Sequence, residues 1–114
     1  MQATRRTIRI GPYTSTGTGQ YIELPTILGS VSFHVHGDYS AVNVDIEGSN
    51  FPMGHDDGSG LTTADWQPIE VDITASGLYY LDDPIKAVRI KVDTLTGATL
   101  GVYVDLCFDS ISGV

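Results

Sequence analysis

"VSFHVHGDYSAVNVDIE", residues Val31–Glu47, is the stretch on which the fold turns. Val31, Phe33 and Val35 alternate with Ser32, His34 and His36. After "HGDYS", Val42, Val44 and Ile46 alternate with Asn43, Asp45 and Glu47. Successive side chains of a strand point to opposite faces, so this period of two describes two half-buried antiparallel strands around a turn, each with one greasy and one polar side.

The pattern recurs downstream. Ile69, Val71 and Ile73 face one way and Glu70, Asp72 and Thr74 the other; Val88, Ile90 and Val92 then oppose Arg89, Lys91 and Asp93. The last run is Leu100, Val102, Val104, Leu106 and Phe108. Turn signals separate these runs: "GSNFPMGHDDGSG", "TASG", "LDDP" and "TLTGA". With "TIRI", "YIEL" and the short "GLYYL" added, the count is about eight strands, and no helical stripe competes. The expectation is an all-β protein, a single antiparallel β-sandwich of jelly-roll type. Between Lys86 and Phe108 two alternating runs flank "TLTGA", whose Gly97 suits a hairpin loop, with Pro84 at the entrance. "TSTGTGQ", Thr14–Gln20, reads as a loop.

At 114 residues the chain suits one domain, 1–114, able to bury roughly 65% of its unfolded surface without staples. A single cysteine, Cys107, allows no internal disulfide. "MQATRRTIRI" lacks the apolar run of a signal peptide, no stretch approaches the ~20 apolar residues of a membrane span, and synthesis in the cytosol is expected. A formal charge of −8 repels phosphate backbones and anionic lipid, which argues against nucleic acid and membrane as partners. The cations are segregated. Arg5, Arg6 and Arg9 lie in what reads as a short basic N-terminal arm, about 1–10, and Lys86, Arg89 and Lys91 lie in one later segment; none falls between Glu23 and Asp83. Two patches of opposite sign on neighbouring copies or on a partner would attract each other.

Candidate chemistry is sparse. "GHDDGSG" places Asp56 and Asp57 side by side, with no glutamate before Glu70, so it lacks the ligand offsets of an EF-hand and reads as a turn; calcium is the ion it would take if it held one. His34 and His36 point the same way from one strand, one requirement for a shared zinc or nickel, with His55 or Asp38 as conceivable third ligands. No catalytic residue, metal or cofactor is assigned. Serines and threonines sit in turns without a nucleophile elbow, and Asp105 and Asp109 give Cys107 the wrong electrostatic setting for a reactive thiol. Glu47, Asp45, Glu70 and Asp72 face outward, in reach of cross-strand pairing with Arg89 or Lys91. Trp66, Tyr79, Tyr80, Tyr39 and Phe51 are aromatics suited to a protein interface or a sugar platform.

Taken in order, "VNVDIEGS", "DG", the tryptophan ahead of "PIEVDI", and "TASGLYYLDDPIKAVRIKVDTLTGATLGVYV" resemble small β-sandwich virion proteins of tailed bacteriophages, over about Val42–Leu106. The resemblance implies a non-enzymatic decoration or cement protein on the outside of the particle, or a tail or fibre part, bound to the major capsid protein or another virion protein. It further implies a homo-oligomer, most often a trimer. The strand, loop and tryptophan order also resembles galactose-binding-like discoidin domains, which implies carbohydrate recognition as the alternative. Arg5, Arg6, Arg9, Trp66, Tyr79 and Tyr80 are the expected partner-binding residues.

Overall fold

The computed structural model describes residues 2–50, 66–83 and 85–112. Nine strands run through them: β1 (Gln2–Tyr13), β2 (Gly17–Thr18), β3 (Ile22–Glu23), β4 (Ile27–Asp38), β5 (Ala41–Ser49), β6 (Gln67–Ile73), β7 (Gly77–Leu81), β8 (Ala87–Thr96) and β9 (Gly101–Ser112). They form two antiparallel sheets. One has the order β1-β9-β4-β7 and the other β2-β8-β5-β6, with β3 also on β8.

The pairing pattern identifies the winding. Both β2 and β3 lie along β8, so they act as one interrupted edge strand and the effective count is eight. The first strand then pairs with the last, the second with the second-last, β4 with β7, and β5 with β6. A long hairpin rolled over on itself gives this order, the jelly roll that the alternation led us to expect.

The two apolar faces meet in one core. Val31, Phe33, Val35, Val104 and Leu106 come from the four-stranded sheet, and Val44, Ile46, Val88 and Ile90 from the other, all at 0% exposure. Each such side chain contributes roughly 1.5–3 kcal/mol by leaving water, so the inward residues of β4, β5, β8 and β9 supply the driving force. The principal extents, 45 × 33 × 20 Å, are those of a two-layer slab.

Five sequence expectations change. The segment Lys86–Phe108 is not a hairpin: β8 and β9 lie in different sheets, and residues 97–100 arch between them. Asp38 holds the arch by accepting the backbone N–H groups of Thr99, Leu100 and Gly101 at 3.2, 2.8 and 2.7 Å. Leu100 therefore belongs to the arch and is 64% exposed rather than inward. Val71 is 50% exposed because Ile46 faces Glu70 while Val44 faces Ile73; the extra residue makes a bulge in which Asp72 adopts φ 55°. "TSTGTGQ" contains β2, and Gly19 N–H donates to the Ile90 carbonyl at 2.8 Å. Finally, the basic stretch read as an arm is β1, paired with β9 from Gln2↔Ser112 to Tyr13↔Val102. Pro84, and the sequence read as the "GHDDGSG" turn with His55, Asp56, Asp57 and Phe51, lie outside the described residues.

Candidate functional site

The polar face of the four-stranded sheet carries the densest chemistry. Alternation along β9 sends Tyr103, Asp105, Cys107 and Asp109 outward, and the registers align them with outward residues of the flanking strands. Thr7, Cys107, Ser32 and Tyr80 form one row across all four strands. Arg9, Asp105, His34 and Leu78 form the next, and Tyr103 and His36 stand beyond it.

Asp105 is the hub. Arg9 Nε donates to its Oδ1 at 2.9 Å and Nη2 to Oδ2 at 3.0 Å, while His36 Nε2 donates to Oδ2 at 2.7 Å. The Arg9 hydrogen bonds, helped by that of His36 and opposed by partial burial, pull the Asp105 carboxyl down to about 2. The rings around it are stacked: His34 on His36 with centroids 4.5 Å apart, His36 on Tyr103 at 5.5 Å, and the Arg9 guanidinium 4.7 Å from the centre of the Tyr103 ring. His34 is exposed, whereas His36, Tyr103 and Asp105 are half-buried.

This arrangement gives His34 and His36 the third partner that the sequence did not reveal. One donor atom each from His34, His36 and Asp105 lies within 4.8 Å of the other two. Asp38, considered for that role, is instead committed to the arch, whose N–H groups at Leu100 and Gly101 hold its carboxyl below the usual carboxylate range.

The arginines of β1 are used within the sheet. Arg5 Nε donates to Asp109 Oδ1 at 3.0 Å, and Arg6 Nε donates to Oγ of the fully buried Ser110 at 2.8 Å. Beside Arg5, a surface groove of about 400 Å³ is lined by Leu28, Ser32, Tyr80, Cys107 and Asp109. Leu28, Leu78 and Tyr80 are 37%, 57% and 63% exposed, so three large apolar side chains stand on the otherwise polar face.

The five-stranded sheet is occupied differently. Trp66 is 5% exposed; the Arg89 guanidinium lies 4.6 Å from its ring centre and the Tyr21 ring 5.9 Å away. Arg89 Nε also donates to Glu47 Oε1 at 2.7 Å, the cross-strand pair expected from the alternation. Trp66 is thus covered and presents no platform, and Tyr79 packs against the core. Tyr80 is the exposed member of the pair. Asp45 has its carboxyl raised by burial, with Asp93 and Asp72 adding like charge, while the Asp72 N–H donates to its Oδ1 at 2.9 Å.

Comparison with family models, curated proteins and solved structures finds no match to this chain. Among the described residues, no helix is long and apolar enough to cross a membrane.

Proposed function

We propose that this chain is a non-enzymatic structural protein of a tailed-phage virion, a decoration or cement protein that docks on the major capsid lattice as a homo-oligomer, with a trimer favoured by the resemblance. The reading rests on Leu28, Leu78 and Tyr80. Their exposure on the outer face of one sheet is what a surface that meets another protein requires, since a face turned only to water gains nothing from such side chains. The jelly-roll winding supports it at the level of architecture, and the strand and turn order from Val42 to Leu106 supplies the likeness to virion proteins.

Docking through a cationic arm is dropped from the proposal. Arg5 and Arg9 are bound to Asp109 and Asp105 of their own chain, so the apolar strip beside them is the contact and the ion pairs form its rim. Burying Trp66 likewise removes the aromatic on which sugar recognition most depended. Many weak contacts of ~1,000 Å² hold firmly when an oligomer engages several lattice sites at once.

The test is a double substitution, Leu78→Ser with Tyr80→Ser, at two exposed positions that the fold does not need. Light scattering and co-sedimentation with capsids lacking the protein are the measurements. The parent chain is expected to be oligomeric and to pellet with capsids, and the variant to lose both. A parent that stays monomeric and never pellets, or a variant that pellets as well as the parent, ends the proposal.

A further inference from the structure

We propose that His34, His36 and Asp105 form a tripod for one divalent transition-metal ion of the zinc, nickel or copper class. The inference stands apart from the docking reading and needs no capsid to be tested.

Geometry is the first support. His34 and His36 are two residues apart on β4 and share its outward face, and Asp105 is the direct cross-strand partner of His34 on β9. The chelating atoms already lie within 4.8 Å of one another. Bonds of about 2.0–2.1 Å to a tetrahedral ion place donors roughly 3.3 Å apart, so the site must close by about 1.5 Å at most. Rotation of the exposed His34 ring and a small shift of His36 supply that closure without moving the sheet.

Ligand type selects the ion. Two imidazoles and one carboxylate suit zinc, nickel or copper, whereas calcium and magnesium require mostly oxygen donors. Stacking against Tyr103 limits the rotation of the His36 ring. The fourth coordination position faces away from the sheet, open to water or to a side chain of a docked neighbour.

Arg9 is the brake on this site. It occupies both oxygens of Asp105 and places a positive charge beside the ion, so a metal must compete with it for the carboxylate. This gives the proposal a signature that a purely structural role for the cluster does not share: removing Arg9 strengthens metal binding.

The experiment is calorimetric titration of the untagged full chain with zinc chloride and nickel chloride, read alongside histidine ring signals in NMR spectra. The expected result is saturable one-to-one binding that perturbs His34 and His36. Affinity should fall at least about tenfold in His34→Ala and in Asp105→Asn, rise about tenfold in Arg9→Met, and stay unchanged in His55→Ala. His34 is exposed, so its removal leaves the fold intact even if Asp105→Asn does not. Absence of saturable binding, binding that survives loss of both His34 and His36, loss of binding in His55→Ala, or weaker binding in Arg9→Met overturns the proposal.

Discussion

Replacing Gly101 by alanine tests how closely the end of β1 packs on the start of β9, where the chain leaves the arch between the sheets. In the jelly roll, β9 starts where the chain leaves the arch, with Gly101 at φ +105°. A Cβ added there would collide with the Tyr13 carbonyl oxygen of β1 and stand 3.0 Å from its carbon, so the obstacle is backbone. The forbidden dihedral alone costs on the order of 1–3 kcal/mol. Relief of the clash requires the end of β1 to move, and the sum is about 3–4 kcal/mol, large but within the 5–15 kcal/mol typical of a domain. For a chain of 114 residues that is a fall in melting temperature of about 12–17 °C. Urea denaturation and calorimetry should show a lower midpoint with an unchanged denaturant slope. Gly97→Asn is the control. At φ +71° Gly97 lies in the left-handed region asparagine tolerates, and the atom its Cβ would meet is the Ser40 hydroxyl, so about 1–2 kcal/mol is expected. A Gly101→Ala protein within ~2 °C of the parent, or one less affected than Gly97→Asn, would refute the close approach of β1 to the start of β9.

Two further outcomes follow from the packing and the charges. Val71→Ser should change stability by no more than about 0.5 kcal/mol, whereas Ile73→Ala, two residues on and 2% exposed, should cost about 2–4 kcal/mol; equal effects in denaturant titrations would contradict the bulge at Asp72. Asp38 should titrate below 3.8 when followed by NMR, because the charged form is the one the arch N–H groups bind. A depressed carboxyl stabilises above its unfolded value and loses that contribution as pH falls through its folded value, so the arch should loosen only below about pH 3.8, and Asp38→Asn should abolish that acid step.

The alternation that made the strands legible is local chemistry, and it named the core face of β4, β5, β8 and β9 correctly. Connectivity is not local. A glycine in "TLTGA" satisfies a hairpin and an arch equally well; the arch follows from the distant partners that pull β8 and β9 into different sheets, and the Asp38 carboxylate, folded over the N–H groups of residues 99–101, holds it. Val71 shows the other limit. Its run alternates without a break, yet the register slips at Asp72, one of the few residue types that adopts positive φ at small cost, and nothing in the local pattern marks the slip.

At the candidate site, period two was enough to put His34 and His36 on one face, because both belong to a single strand. Asp105 stayed hidden because its nearness depends on β9 lying beside β4, a property of the winding. The supposed arm did leave a signal that charge counting passed over. Arg5 and Arg9 are four residues apart, and so are Asp105 and Asp109. Antiparallel strands hold the sum of paired residue numbers constant, and both Arg5–Asp109 and Arg9–Asp105 give the same sum, the one that also joins Thr7 to Cys107. Two cations and two anions at matched spacing near opposite ends of a chain are therefore better read as the two sides of one ladder than as a free patch seeking a partner. The same register that neutralises the arginines also places Arg9 against the carboxylate that faces His34, which ties the charge pattern of the N-terminus to the chemistry of the site.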